Sequence, residues 1–235
     1  MHLIGGADGC RGGWILVGQD LGTGVVSCQR CSTAAEIFYR TPELDIIALD
    51  MPIGLTEKGP RLCDQEARKL LRGGRASSVF PAPIRAVLSA KTYTQACKIR
   101  YDAERKKMSR QAWAITPKIR EIDDLLRRDP LLRAKTREVH PEICFYHLAG
   151  REPCRFAKKN ADGRTERRRL LEPHFGKWLA RALAERSSLS PCTEDDVLDA
   201  FAALWSAERI ATGRAAILPA ERLTDSSGLR MEILA

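Results

Sequence analysis

Two short apolar runs in the first fifty residues each end in an aspartate: Leu3-Ile4-Gly5-Gly6-Ala7-Asp8 and Asp45-Ile46-Ile47-Ala48-Leu49-Asp50. Runs this compact, bounded by turn residues, read as buried strands. The first is one of three. Residues 2–7, 14–19 and 24–30 are strand-like, joined by Ala7-Asp8-Gly9-Cys10-Arg11-Gly12-Gly13 and by Asp20-Leu21-Gly22-Thr23. Short, glycine-containing links predict an antiparallel meander. Thr33-Ala34-Ala35-Glu36 has the form of a capping box, so a short helix to about Tyr39 is expected. A helix between strands is the crossover that parallel pairing needs, so the run ending at Asp50 is predicted to lie parallel to the first strand. Asp8 and Asp50 then both open on one cleft at strand ends, where α/β sheets bind ligands. Either aspartate alone reads as a turn residue. Together they are harder to explain that way.

After residue 60 the period changes. Residues 61–71, 91–107 and 111–128 read as charged amphipathic helices, with a loop over 73–83. They predict a helical insertion over residues 60–128, after the fourth strand, inside a single domain of 235 residues. Further along, a short strand is expected at 137–142, a basic loop over 151–169 and a helix over 178–186. A long helix should run from a cap at Thr193 to about Thr212, with an edge strand at 229–234.

That long helix carries Asp196 and Asp199. Asp196 is at the third helical position, where capping and the helix dipole already account for an acid. Asp199 lies beyond the first turn, on the same face as Asp196, Ala202 and Ala203. A small face lets a helix lie close to a sheet, and carboxylates one turn apart can share a cation. Glu138 and Glu142 flank His140-Pro141, and either glutamate can enter the cleft. His140 itself reads first as a locally hydrogen-bonded histidine, with metal ligation and proton transfer as the alternatives. Carboxylates gathered in one cleft repel unless compensated. Magnesium or manganese does this, since hard cations take oxygen ligands, and such ions assist phosphoryl transfer.

Charge divides the chain. Residues 58–186 hold 32 Lys and Arg against 15 Asp and Glu, whereas the two ends hold 7 against 15. A basic middle suits a polyanion such as nucleic acid. Surface solubility is the competing account. No secretion signal and no run of about 18 apolar residues is visible, so no membrane partner is expected. Eight cysteines at irregular spacings read as free thiols in the cytoplasm. Cys28-Gln29-Arg30-Cys31 lacks the second ligand pair of a structural zinc site and reads as two half-buried strand residues.

Six segments together resemble one known family: DGCRGGW (8–14), IIALDMPIGL (46–55), RLCDQEAR (61–68), SSVFPAP (77–83), EVHPEICF (138–145) and DDVLDAFAALWSA (195–207). The ordered set is similar to the family of domain of unknown function 429, predicted nucleases of ribonuclease H-like fold. The resemblance implies an α/β fold with a mixed five-stranded sheet flanked by helices. It implies Asp8 as the first-strand acid, Asp50 as the fourth-strand acid and the Asp196–Asp199 pair on the final helix. Glu138 belongs to the family's own motif and has no secure counterpart in other enzymes of that fold.

The function expected from residues and resemblance is metal-dependent hydrolysis of a nucleic-acid phosphodiester, on DNA or RNA. Asp8, Asp50 and Asp199 are the expected ligands of Mg2+ or Mn2+, with Asp196 or Glu138 completing the site. Arg75, Lys118, Arg164, Arg167, Arg168 and Arg169 are the expected contacts to the nucleic-acid backbone. Two other readings remain open: a nucleotide-dependent phosphotransferase of the actin-like branch, and a non-catalytic nucleic-acid binder.

Overall fold

The first strand does not stop at Asp8. In the computed structural model, which describes residues 3–39, 44–72 and 74–235, β1 (Leu3–Cys10) pairs antiparallel with β2 (Gly13–Asp20) throughout. The expected seven-residue link shrinks to Arg11-Gly12. Gly12 takes φ 72°, which favours glycine. A Cβ on Gly13 would lie 2.2 Å from the Cys31 carbonyl oxygen, so glycine lets β3 (Val26–Cys31) approach. His2 and Gly73, at the starts of an expected strand and an expected loop, lie outside the described residues.

Helix α1 (Ala34–Tyr39) follows, and β4 (Leu44–Asp50) then returns parallel to β1. The short β5 (Thr136–Glu138) pairs parallel with β4, giving the order β3-β2-β1-β4-β5. This is an α/β fold with a mixed five-stranded sheet, and its order is compatible with the ribonuclease H-like fold. Between β4 and β5 the chain is helical: α2 (Leu62–Leu70), α3 (Tyr93–Glu104), α4 (Arg110–Arg128) and α5 (Pro130–Lys135). After β5 come α6 (Pro141–Leu148), α7 (Ala161–Ala184) and α8 (Glu194–Ala211). A two-stranded ribbon, β6 (Ile217–Leu218) with β7 (Ile233–Leu234), closes the chain. No helix among the described residues is long and apolar enough to cross a membrane.

Three expectations differ from this. The strand expected at 137–142 ends at Glu138, because Pro141 starts α6 with His140 as its cap. The basic stretch 151–169 is not all loop. From Ala161 it is helix, with Arg167, Leu171 and Phe175 buried at four-residue spacing before a kink at Gly176. Arg167 disguised that stripe, because a buried guanidinium stands where a hydrophobe would. The edge strand expected at 229–234 reduces to Ile233–Leu234 and an isolated bridge between Thr224 and Arg230.

Alternation along the strands sorts their side chains into two cores. Ile4, Cys10, Ile15, Val17, Ile46 and Ala48 join the core that contains α8. Ala7, Trp14, Leu16, Ile47 and Leu49 join the opposite core with α1 and α4. The same alternation places Cys28 and Cys31 toward different cores, so they are not a ligand pair. Gly6 and Asp8 are two residues apart, and Asp50 is two from Ala48. All three therefore share the α8 face.

Helix α8 lies directly on β1. A Cβ on Gly6 would be 2.0 Å from the Leu204 nitrogen and 2.5 Å from the Ala200 oxygen, both backbone atoms that cannot yield. Gly6→Ala should therefore destabilise the fold by about 2 kcal/mol or more, as forced overpacking does. A shift of the urea midpoint corresponding to less than about 0.5 kcal/mol would show that α8 can move away.

Candidate metal centre

Three elements bring three carboxylates together. Asp8 and Asp50 are register partners on the parallel strands β1 and β4. Asp199 projects from α8, held to the sheet at Gly6. Oxygens of Asp8, Asp50 and Asp199 all lie within 4.8 Å of one another. Asp8 and Asp199 are buried, with 7 % and 2 % exposure, and Asp50 is half-buried. The expected meeting of Asp8 and Asp50 thus occurs, and Asp199 joins them.

Their electrostatics follow from burial and mutual repulsion. Burial first, then the charges of Asp50 and Asp199, raise the Asp8 pKa well above its ordinary value. Burial also raises Asp50, to about 6, with His140 and Lys158 opposing and Asp199 adding to the rise. The Asp8 and Asp50 carboxyls lie close enough to perturb one another. Two carboxyls in such contact need a proton or a cation between them. The donor set is all hard oxygen, which suits Mg2+ or Mn2+. Lys158 enters the cluster from the loop before α7, its Nζ 2.6 Å from Asp199 Oδ2. Reading the sequence alone passes over Lys158, because nothing in a basic loop marks which lysine points inward.

The remaining acids have other partners. Asp196 completes the capping box of α8, accepting from the Thr193 backbone nitrogen at 2.7 Å. It remains close enough to raise the Asp8 pKa further. Glu138 does not join the cluster: its oxygens accept from the two terminal nitrogens of Arg61 at 2.7 Å each, and Oε2 also accepts from the Ile53 backbone at 2.7 Å. Asp64 accepts from the same guanidinium. Glu142 is likewise paired, with Arg167 at 2.6 Å. His140 accepts from the Glu142 backbone through Nδ1 at 3.2 Å, the local bond expected of it.

The expected backbone contacts divide. Arg167 is 1 % exposed and bonds Glu142 and the Gly163 carbonyl, so it is interior structure and not a surface contact. Arg75 holds the Cys154 and Arg155 carbonyls at 3.0 and 2.9 Å. Lys118 donates to the Gly13 carbonyl and lies 4.4 Å from the Trp14 ring centre. Arg164 bonds the Lys159 carbonyl, and Arg168 pairs with Glu194 at 2.7 Å. Arg169 is exposed. Arg61 and Arg167 of the basic middle are thus spent inside the protein, while most of its other cations face solvent. All eight cysteines are free thiols.

Comparison with curated proteins and with solved structures gives no match. A family model described as a protein of unknown function, DUF429, matches residues 6–224, and the chain belongs to that family.

Proposed function

We propose that the protein is a metal-dependent nuclease that hydrolyses phosphodiester bonds of nucleic acid. The observation that carries this reading is the convergence of Asp8, Asp50 and Asp199 oxygens within 4.8 Å at strand ends. Those three residues would hold Mg2+ or Mn2+. Bound there, such an ion supplies Lewis-acid stabilisation of a phosphoryl group and lowers the pKa of an attacking water. The chain's own part is to fix the ion against the sheet and to hold Lys158 beside it. Glu138, already saturated by Arg61, serves the fold.

The test is incubation of the purified protein with labelled single-stranded, duplex and branched DNA and with RNA, with manganese or with a chelator. Metal-dependent cleavage of at least one substrate is the expected result. Nucleotide hydrolysis without cleavage would favour the phosphotransferase reading, and binding without either would favour the passive binder.

The surface that meets the polyanion is the exposed part of the basic middle. Lys159→Glu with Arg169→Glu should leave stability within about 0.5 kcal/mol, as exposed substitutions do. Polyanion affinity should fall, with the salt slope reduced by about one per lost contact. Arg167→Glu should instead unfold the chain, because it opposes Glu142. Unchanged binding by the double variant would remove this surface from the interface.

A further inference from the structure

We propose that Lys158 is the second cation of the acid centre, so that the centre takes a single divalent ion. This rests on the reading of Asp8, Asp50 and Asp199 as metal ligands. Lys158 Nζ is 2.6 Å from Asp199 Oδ2. Three ionised carboxylates with one ammonium leave a net charge of −2, which one divalent ion neutralises.

The lysine is placed rather than swinging. Its loop is fastened from Cys154 to Phe156. Arg75 bonds the Cys154 and Arg155 carbonyls. Glu166 accepts from the Arg155 and Phe156 nitrogens at 2.9 and 3.1 Å. Arg167 donates to the Phe156 carbonyl at 3.2 Å. On the other side of Lys158, a Cβ on Gly163 would meet the Ala157 oxygen at 2.0 Å, so the start of α7 clasps the loop at close range. Buried Arg167 and Gly163 therefore form the base of the lysine's position. A fixed ammonium beside the triad would supply positive charge toward a phosphoryl oxygen without a second ion to bind.

The experiment is titration of the full chain with Mn2+ alone, with no nucleic acid, read by calorimetry and by electron paramagnetic resonance. The parent should bind one ion per chain, with no spin coupling between ions. Lys158→Met keeps the aliphatic stem and removes the charge. It should bind its first ion on the order of tenfold more tightly, because a like charge has left the site. Lys158→Arg should behave as the parent. Two coupled ions in the parent would overturn the proposal while keeping the metal-ligand reading, and this outcome needs no variant to fold. Equal or weaker affinity in folded Lys158→Met would also overturn it. Absence of binding by parent and variant alike would overturn both the proposal and the reading beneath it.

Discussion

Replacing Arg61 with methionine should cost about 3–5 kcal/mol, the usual penalty for removing one partner of a buried ion pair. Arg61 is 2 % exposed. It bonds Glu138 twice, Asp64 at 3.2 and 2.5 Å, and the Ile53 and Gly54 carbonyls at 3.0 and 3.3 Å. Burial works against the guanidinium charge, but the Glu138 and Asp64 carboxylates outweigh it and hold its pKa well above the ordinary value. Without Arg61 both acids stay buried and uncompensated. The midpoint of urea denaturation is the measurement, and a loss below about 1 kcal/mol would show the network to be dispensable. Glu138→Gln separates structure from chemistry. It should lower stability yet leave the rise in melting temperature with manganese intact, whereas a metal ligand would lose that rise.

The sheet and the acid triad were legible because alternation along a strand is strict. Counting by two from Ala48 to Asp50 and from Gly6 to Asp8 puts both carboxylates on the helix side. The crossover through α1 makes the strands neighbours. Asp199 was legible from its place beyond the capping turn of α8 and from the small residues beside it. The roles of Glu138, Glu142 and Arg167 were not. Burial of each depends on a partner 77 or 25 residues away in sequence, Arg61 for Glu138 and Arg167 for Glu142. No local period announces such a pair. Which cations of the basic middle turn inward was not legible for the same reason, since a guanidinium that bonds carbonyls inside the fold counts equally in composition with one that faces solvent.

The second large effect is expected from Asp8→Asn. The strand continues through Asp8, which pairs with Ile15 and with Asp50, so the residue is not in the turn. Asparagine keeps its size and removes the charge. Metal affinity should fall by more than the roughly 10–100-fold that follows loss of a group merely hydrogen-bonded to a ligand. Metal-dependent cleavage should vanish. Without metal the variant should gain stability, on the order of 1 kcal/mol near neutral pH, because repulsion from Asp50 and Asp199 is relieved. The pH dependence has a defined sign. Asp8 and Asp50 are raised above their ordinary value of 3.8 in the fold, Asp50 to about 6. The folded state therefore holds more protons than the unfolded chain in that window. Their contribution is fully present below about pH 4 and is lost as pH rises through about 6 and beyond. Melting without metal should show this decline in the parent and a shallower one in Asp8→Asn. Parallel curves for the two proteins would contradict the coupling of Asp8 to Asp50.

The central claim is that Asp8, Asp50 and Asp199 hold a divalent cation. Crystals of the parent soaked in manganese, with anomalous diffraction recorded at the manganese edge, test it most directly. The account predicts one anomalous peak within coordination distance of oxygens from all three aspartates, with the Lys158 ammonium still on Asp199. The same soak of Asp8→Asn should lose that peak. Manganese bound only elsewhere, or no peak at the triad when the soaking concentration saturates the metal-induced rise in melting temperature, would contradict the account.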